Sequence, residues 1–354
     1  MKKTITGLAM LVVLILASNA LATETTVKGR LFTHWMIDQT DGADNANEFV
    51  LGRAYITVQS KLSDFSSLRI TSDLRETDVG GRTRYDVIIK YGYIDWKPAF
   101  ARNALKLRFG LQPTPFFDTQ NKFWGRRYIS KTVGDRNKYL TTSDLGASVH
   151  LGLGAKGKLG SLVAAVFNGT AYSSLGEENK QKDFNVFADI HPISGNEDFK
   201  NTRLVAQLYS GVQNVVIPDS VSGSDYKRRL ISAGGVLVYR HLFDLGADLH
   251  WFTMGNGPQA ADSKKSGFSI FGTLYFEDLV ADASVLHALN IFGRVDLNDP
   301  DTDTNNDGDQ HIIAGIECVP VKGFKASVNY RTTQYDSDAE VTEKALFVNA
   351  MFRF

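Results

Sequence analysis

The chain has 354 residues, 43% hydrophobic and 22% charged, with Lys plus Arg balancing Asp plus Glu at 39 each. A net charge of zero excludes a generally basic nucleic-acid binder, and this apolar content excludes a disordered chain. A single cysteine excludes a disulfide framework and any multi-cysteine metal site.

The first 22 residues read as a cleaved signal peptide. Lys2 and Lys3 make a basic start, Leu8 to Ala17 is apolar but too short to span a bilayer, and Ala20-Leu21-Ala22 supplies small residues for cleavage. The polar Thr23-Glu24-Thr25-Thr26 follows with no basic stop-transfer flank, and no cysteine at the cleavage point marks a lipoprotein. Residues 23–354 are then one exported domain.

From there on the pattern has a period of two. Val50, Gly52, Ala54, Ile56, Val58 and Leu62 are apolar or small, whereas Arg53, Tyr55, Thr57, Gln59 and Lys61 between them are polar. The same split sets Leu68, Ile70 and Leu74 against Arg69, Thr71, Asp73 and Arg75, and Leu105, Leu107, Phe109 and Leu111 against Lys106, Arg108 and Gln112. In chain order this predicts strands at 26–37, 48–62, 66–76, 83–97, 104–112, 143–153, 159–169, 183–191, 200–213, 228–241, 243–254, 266–277, 280–293, 310–319, 322–335 and 343–354. Most reach the 9–11 residues of a tilted membrane strand. Sixteen is an even count, as a transmembrane antiparallel β-barrel needs.

The connections alternate in length. Short ones, such as Ser63-Asp64-Phe65, Leu242, Asp278-Leu279 and Pro320-Val321, alternate with longer polar ones at 38–47, 77–82, 113–142, 170–182, 214–227, 255–265, 294–309 and 336–342. Short turns on one rim and long loops on the other are the outer-membrane arrangement, with periplasmic turns and extracellular loops. The final strand carries a further signal: Leu346, Val348, Ala350, Phe352 and Phe354 alternate with Phe347, Asn349, Met351 and Arg353. A terminal Phe on such a strand resembles the assembly signal of bacterial outer-membrane barrels.

Several stretches resemble the Gram-negative outer-membrane porins, in particular the phosphate-selective porin O and P family. These are Phe49-Val50-Leu51-Gly52-Arg53-Ala54-Tyr55-Ile56-Thr57-Val58, Tyr93-Ile94-Asp95-Trp96-Lys97-Pro98, Leu107-Arg108-Phe109-Gly110-Leu111-Gln112-Pro113-Thr114-Pro115-Phe116 and Val163-Ala164-Ala165-Val166-Phe167-Asn168-Gly169. The likeness covers most of residues 27–354 and rests on short, degenerate motifs. It implies an all-β, sixteen-stranded barrel with a long inward-folded third loop narrowing the pore. It also implies a homotrimer in contact with the lipid bilayer and lipopolysaccharide, inserted by the barrel-assembly machinery, that passes small hydrophilic solutes or anions such as phosphate. The connection 113–142 is much the longest, and long loops are usually functional.

Charge is uneven along the chain. Residues 51–140 hold 17 Lys and Arg against 8 Asp and Glu. On the register above Arg53, Arg69, Arg75, Arg84, Lys90, Lys106 and Arg108 point into the lumen, while Arg126, Arg127, Lys131, Arg136 and Lys138 lie in the long loop. Rings of Arg and Lys in a pore favour anions. Asp73, Asp86, Asp118 and Asp135 oppose that field.

The acidic counterweight is loop 294–309, with Asp296, Asp299, Asp301, Asp303, Asp307 and Asp309. Asp303, Asn305, Asp307 and Gly308 reproduce the first half of a calcium loop, although Ala314 stands where the bidentate Glu belongs. Cys318 falls on the apolar face. Tyr91, Tyr93, Phe347, Phe352 and Phe354 lie near strand ends, where aromatic girdles form. No nucleotide, hydrolase or zinc-protease motif occurs. A barrel enzyme of the lipase or protease type, with candidates such as His34, His150 and Ser143, and an adhesive or structural barrel are the rival readings.

Overall fold

Each strand of the barrel hydrogen-bonds antiparallel to its neighbours in sequence, and the last closes on the first. The strands are β1 (Glu24–Asp38), β2 (Asn47–Lys61), β3 (Ser66–Asp78), β4 (Thr83–Trp96), β5 (Leu105–Pro113), β6 (Ser143–Leu153), β7 (Gly160–Phe167) and β8 (Asp183–Ile190). They continue as β9 (Arg203–Val212), β10 (Lys227–Tyr239), β11 (Phe243–Met254), β12 (Ser263–Tyr275), β13 (Leu289–Asp299), β14 (Asp309–Val321), β15 (Phe324–Tyr335) and β16 (Glu343–Arg353). The computed structural model describes residues 24–43, 46–78, 80–81, 83–101, 104–174, 176–280 and 284–354. The expected signal peptide, residues 1–22, lies outside the described residues.

The alternation sorts the side chains inside out relative to a water-soluble protein. Ile56, Phe109, Val186, Leu208, Trp251 and Val328 are exposed on the outer face, whereas Asp73, Gln112, Asn185, Gln207, Asp248 and Asn329 are buried on the inner one. Such a surface suits hydrocarbon, where a spanning sheet must close because unpaired edge groups cost several kcal/mol each. Closure is made by β1 against β16, from Arg30 opposite Arg353 to Asp38 opposite Ala345.

Two features depart from the sequence expectation. The chain between β12 and β13 is not a tight turn at 278–279: β12 ends at Tyr275, a 3₁₀ turn spans Val285–Ala288, and β13 begins only at Leu289. Strand β13 is therefore Leu289–Asp299 rather than 280–293, and Asp296 and Asp299 belong to it and not to an acidic loop. Asp296 is buried and ion-paired with Arg294 two residues away, which is why a wall segment carries loop-like composition. The second departure concerns the aromatics. Tyr91 and Tyr93 face the lumen, and Phe347 packs against His34 and under the Arg331 guanidinium at 3.5 Å, so these three are not girdle residues. A β-bulge explains how Lys90 and Tyr91, neighbours in sequence, both line the interior. Thr71 pairs with Tyr91 and Ser72 with Ile89, leaving Lys90 as the extra residue that the bulge turns inward.

The segment between β5 and β6 contains two helices, α1 (Pro115–Trp124) and α2 (Val133–Arg136). Pro115 sits at the start of α1, where its missing N–H costs nothing. Gly125, with φ of 64°, ends it in the left-handed conformation that favours glycine. Helix α1 is amphipathic. Phe116, Phe117, Gln120, Phe123 and Trp124 are buried, and Trp124 meets Phe271 and Phe292 edge-on at 5.9 and 6.0 Å. Its other face carries Asp118, Asn121 and Lys122. Its apolar contacts reach side chains of β8, β12 and β13, and Tyr139 beyond α2 meets Phe252 of β11.

Candidate functional site

Polar anchors fix the long segment to the wall it packs on. Arg126 donates to Thr273 Oγ1 at 2.8 Å and Glu317 Oε2 at 3.0 Å, and the Tyr128 hydroxyl donates to Glu317 Oε1 at 2.8 Å. Asn290 donates to the same carboxylate at 3.1 Å and the Lys325 ammonium lies 3.4 Å from it. Burial, reinforced by this carboxylate, holds the Tyr128 phenol well above its ordinary pKa, so it remains a donor. Further along, Arg136 pairs with Asp309, Tyr139 donates to the Ser266 carbonyl oxygen at 2.6 Å, and Arg294 donates to the Lys131 carbonyl oxygen at 2.6 Å.

A passage lies between α1 and strands β1–β4. Its cavity has a volume of about 380 Å³. Lys28, Arg30 and Arg353 line it from β1 and β16, Arg69 and Lys90 from β3 and β4, and Lys122 and Arg127 from the long segment. Asp118 is the acidic residue among its lining. Lys122 pairs with Asp118 at 2.6 Å, and Arg127 with Asp135 at 3.2 Å. Among the described residues, Arg30, Arg69, Lys90 and Arg353 have no carboxylate partner, and Lys28 donates at 2.8 Å only to the neutral Gln59. A field of uncompensated cations in a passage with low-dielectric walls attracts and concentrates anions.

The basic residues singled out in the sequence divide between two tasks. Arg69 and Arg127 line the passage. Arg53 is ion-paired with the buried Asp73, and Arg108 grips Asp95 through two bonds of 2.7 and 2.9 Å, with Lys106 at 3.9 Å from the same carboxylate. Arg75 lies 5.9 Å from the Tyr172 ring, and Arg84 pairs with Asp86 at 3.1 Å. Arg126 and Arg136 point away from the passage and anchor the long segment, while Lys131 contributes its backbone oxygen to that anchoring. The sequence reading missed Lys28, Arg30, Lys122 and Arg353. A signal for the seam pair was present, because Arg30 shares the register of Lys28 and Phe32, and Arg353 alternates with Phe352 and Phe354. Only closure brings the two ends together.

The calcium reading gains nothing from the geometry. Both carboxylate oxygens of Asp303 accept from Lys264, at 3.1 and 2.9 Å, so it is not turned toward Asn305 and Asp307. Among the described residues no group of three or more His, Cys, Asp or Glu could hold a metal ion. His34 and His150 sit on β1 and β6, beside Phe347 and Ser148 respectively, and Ser143 is not near either by hydrogen bond. A trio the sequence did not suggest, Ser232, His250 and Asp248, has the residue types of a hydrolytic triad, with Ser232 Oγ 2.9 Å from His250 Nδ1. Each is only 1% exposed, and the His250 ring is stacked under Phe117 at 5.9 Å. The trio does not form a relay, because His250 Nε2 lies 3.7 Å from Asp248 Oδ2 and neither it nor Asp248 Oδ1 has a hydrogen-bond partner among the described residues.

No family model and no curated protein match this chain. Solved structures do. The anion-selective porin from Comamonas acidovorans superimposes with a TM-score of 0.66 at 11% identity, covering 94% of this chain and 99% of that one. Salmonella typhi OmpF in complex with daunomycin gives a TM-score of 0.65 at 12% identity, covering 95% and 99%. The trimer form of in-vitro folded OmpT, an outer-membrane protein of Vibrio cholerae, gives 0.62 at 12% identity, covering 94% and 99%. At such identities the likeness is one of fold, and by fold this chain is a porin-like, closed barrel of sixteen antiparallel strands.

Proposed function

We propose that the protein is an outer-membrane channel through which small hydrophilic solutes diffuse passively, with a preference for anions. The observation that carries this reading is the lining of the passage beside α1, where seven cations meet one carboxylate and five of the seven have no acidic partner among the described residues. Guanidinium groups suit phosphate and carboxylate oxygens because they offer paired donors. The long segment between β5 and β6 narrows the lumen, since its aromatic face packs on one half of the wall and its polar face borders the opening. The export signal expected at residues 1–22 from the sequence and the apolar outer face support placement in the outer membrane. A fold neighbour described as a trimer supports assembly as a homotrimer.

Reconstitution of the purified full-length barrel into planar bilayers tests the reading. Stepwise conductance increments and a reversal potential of anion-selective sign in a KCl gradient are expected. A cation-selective sign would overturn the preference, and absence of any conductance would overturn the channel itself.

A further inference from the structure

The wall of the passage repeats a second pattern, in which tyrosine rings are interleaved with its cations. The Arg69 guanidinium lies 4.7 Å from the Tyr91 ring centroid, and that of Arg108, held by Asp95 outside the lining of the passage, lies 3.9 Å from Tyr93. The Lys90 ammonium is 5.4 Å from the Tyr55 ring and 5.2 Å from Tyr172, a residue of the β7–β8 loop. Tyr55 and Tyr91 are half-buried and line the 380 Å³ cavity. Tyr93 lines a second cavity of about 210 Å³, which shares Gln59 and Arg69 with the first. Rings and positive charges therefore alternate down one side of the channel.

An inorganic anion would use only half of this surface. Chloride or phosphate is held by charge and N–H donors, for which water, hydroxyls and backbone amides are adequate surroundings. A ring adds apolar area and a polarisable face, and aromatic pairs prefer offset or edge-to-face contact with each other. A guanidinium fixed on a tyrosine presents one flat cationic face and five donors around its rim. The volume falls within the 300–1,000 Å³ range of small-molecule sites.

We infer that the solutes this channel favours are aromatic carboxylates, which combine a flat ring with one anionic group. The carboxylate is taken by the unpaired cations Arg69, Arg30 and Arg353, and the ring lies against Tyr91 or Tyr55. This inference rests on the anion-preferring reading above and narrows its solute class.

The experiment titrates benzoate, acetate and phosphate into chambers separated by a bilayer holding single channels of the full-length protein, and reads blockade of the chloride current. Benzoate is expected to half-block at a concentration about tenfold below that of acetate, the worth of one good aromatic contact. That ratio should fall toward one in Tyr91→Leu and in Tyr55→Leu, and should be kept in Tyr91→Phe, which retains the ring. Equal blockade by benzoate and acetate in the native channel would overturn the inference while leaving an anion-selective reversal potential intact. A ratio unchanged in both leucine variants would also overturn it. A reversal potential of cation-selective sign would instead remove the reading beneath it.

Discussion

Arg30 and Arg353 stand directly opposite each other across the seam that closes the barrel, both facing the passage and neither with a carboxylate partner among the described residues. Like charges in cross-strand register oppose pairing. The seam bears this cost at the point where closure depends on it, and an anion bound between the two guanidinium groups would relieve it. Replacing Arg353 with Glu makes an opposed pair at the same register. In water-exposed surroundings such a pair is worth about 0–1 kcal/mol, so the barrel should melt nearly as before. The reversal potential in a KCl gradient should move toward cation preference, because two units of charge change in the passage. An unmoved reversal potential would place the seam outside the conduction path.

The adjacent residues Arg126 and Arg127 should behave differently when changed singly. Arg127 lines the passage, whereas Arg126 is buried against Glu317 on the far wall. Arg127→Gln should shift the reversal potential and leave single-channel noise as it was. Arg126→Gln leaves Glu317 with fewer cations in a buried site, a loss of about 3–5 kcal/mol when a buried pair is broken. That loss falls on the anchoring of the long segment, so open-channel noise and mean conductance should rise. Identical phenotypes for the two variants would refute this division.

Residue orientation is open to chemical mapping. In a Cys318→Ala background, Arg69→Cys should react rapidly with a charged, water-soluble thiol reagent, because position 69 borders the passage. Leu68→Cys, on the opposite face of β3, should stay unreactive in the bilayer, where no thiolate forms. Comparable rates at the two positions would reject the assigned register.

Most of the wall was legible because alternation with period two survives in nearly every strand, whatever the particular residues. It failed after β12, where apolar Val280 and Leu286 keep the same phase although Val285–Ala288 is a 3₁₀ turn and β13 starts only at Leu289. It also misassigned Asp296, since an acid paired to Arg294 inside a lumen has the same composition as an acid in a loop. At Lys90 and Tyr91 simple alternation allows only one inward residue, and the bulge admits both. The helix α1 had its signals in Pro115 and Gly125, but its packing partners lie over 60 residues away in sequence at Phe187, Phe271 and Phe292. The passage was half visible, because a charge count over 51–140 could not include Arg30 and Arg353, which meet only when the barrel closes.

The end of the chain gives the last prediction. Phe354 exchanges backbone hydrogen bonds of 3.2 Å with Gly29, and its ring covers that glycine so closely that a Cβ there would lie 2.0 Å from Phe354 Cε1. Phe354 is 81% exposed and shares the outer face with Phe352, whose ring meets that of Phe324 at 5.0 Å and a 38° tilt. A side chain this exposed contributes little to the finished barrel, well below the 2–3 kcal/mol of a fully buried Phe. Its value lies earlier, when the β1 edge is still unpaired and each open group is costly in lipid. Deleting Phe354 should therefore lower the amount of barrel inserted in the outer membrane, with the remainder degraded or held in the periplasm. Those barrels that do insert should show native conductance. Gly29→Val, which displaces the ring by steric conflict while keeping the terminal Phe, should insert better than the deletion if the assembly machinery reads the aromatic end, and no better if the ring acts only by covering Gly29. Wild-type outer-membrane levels of the truncated chain, measured by fractionation and immunoblot, would refute any role for Phe354 in assembly.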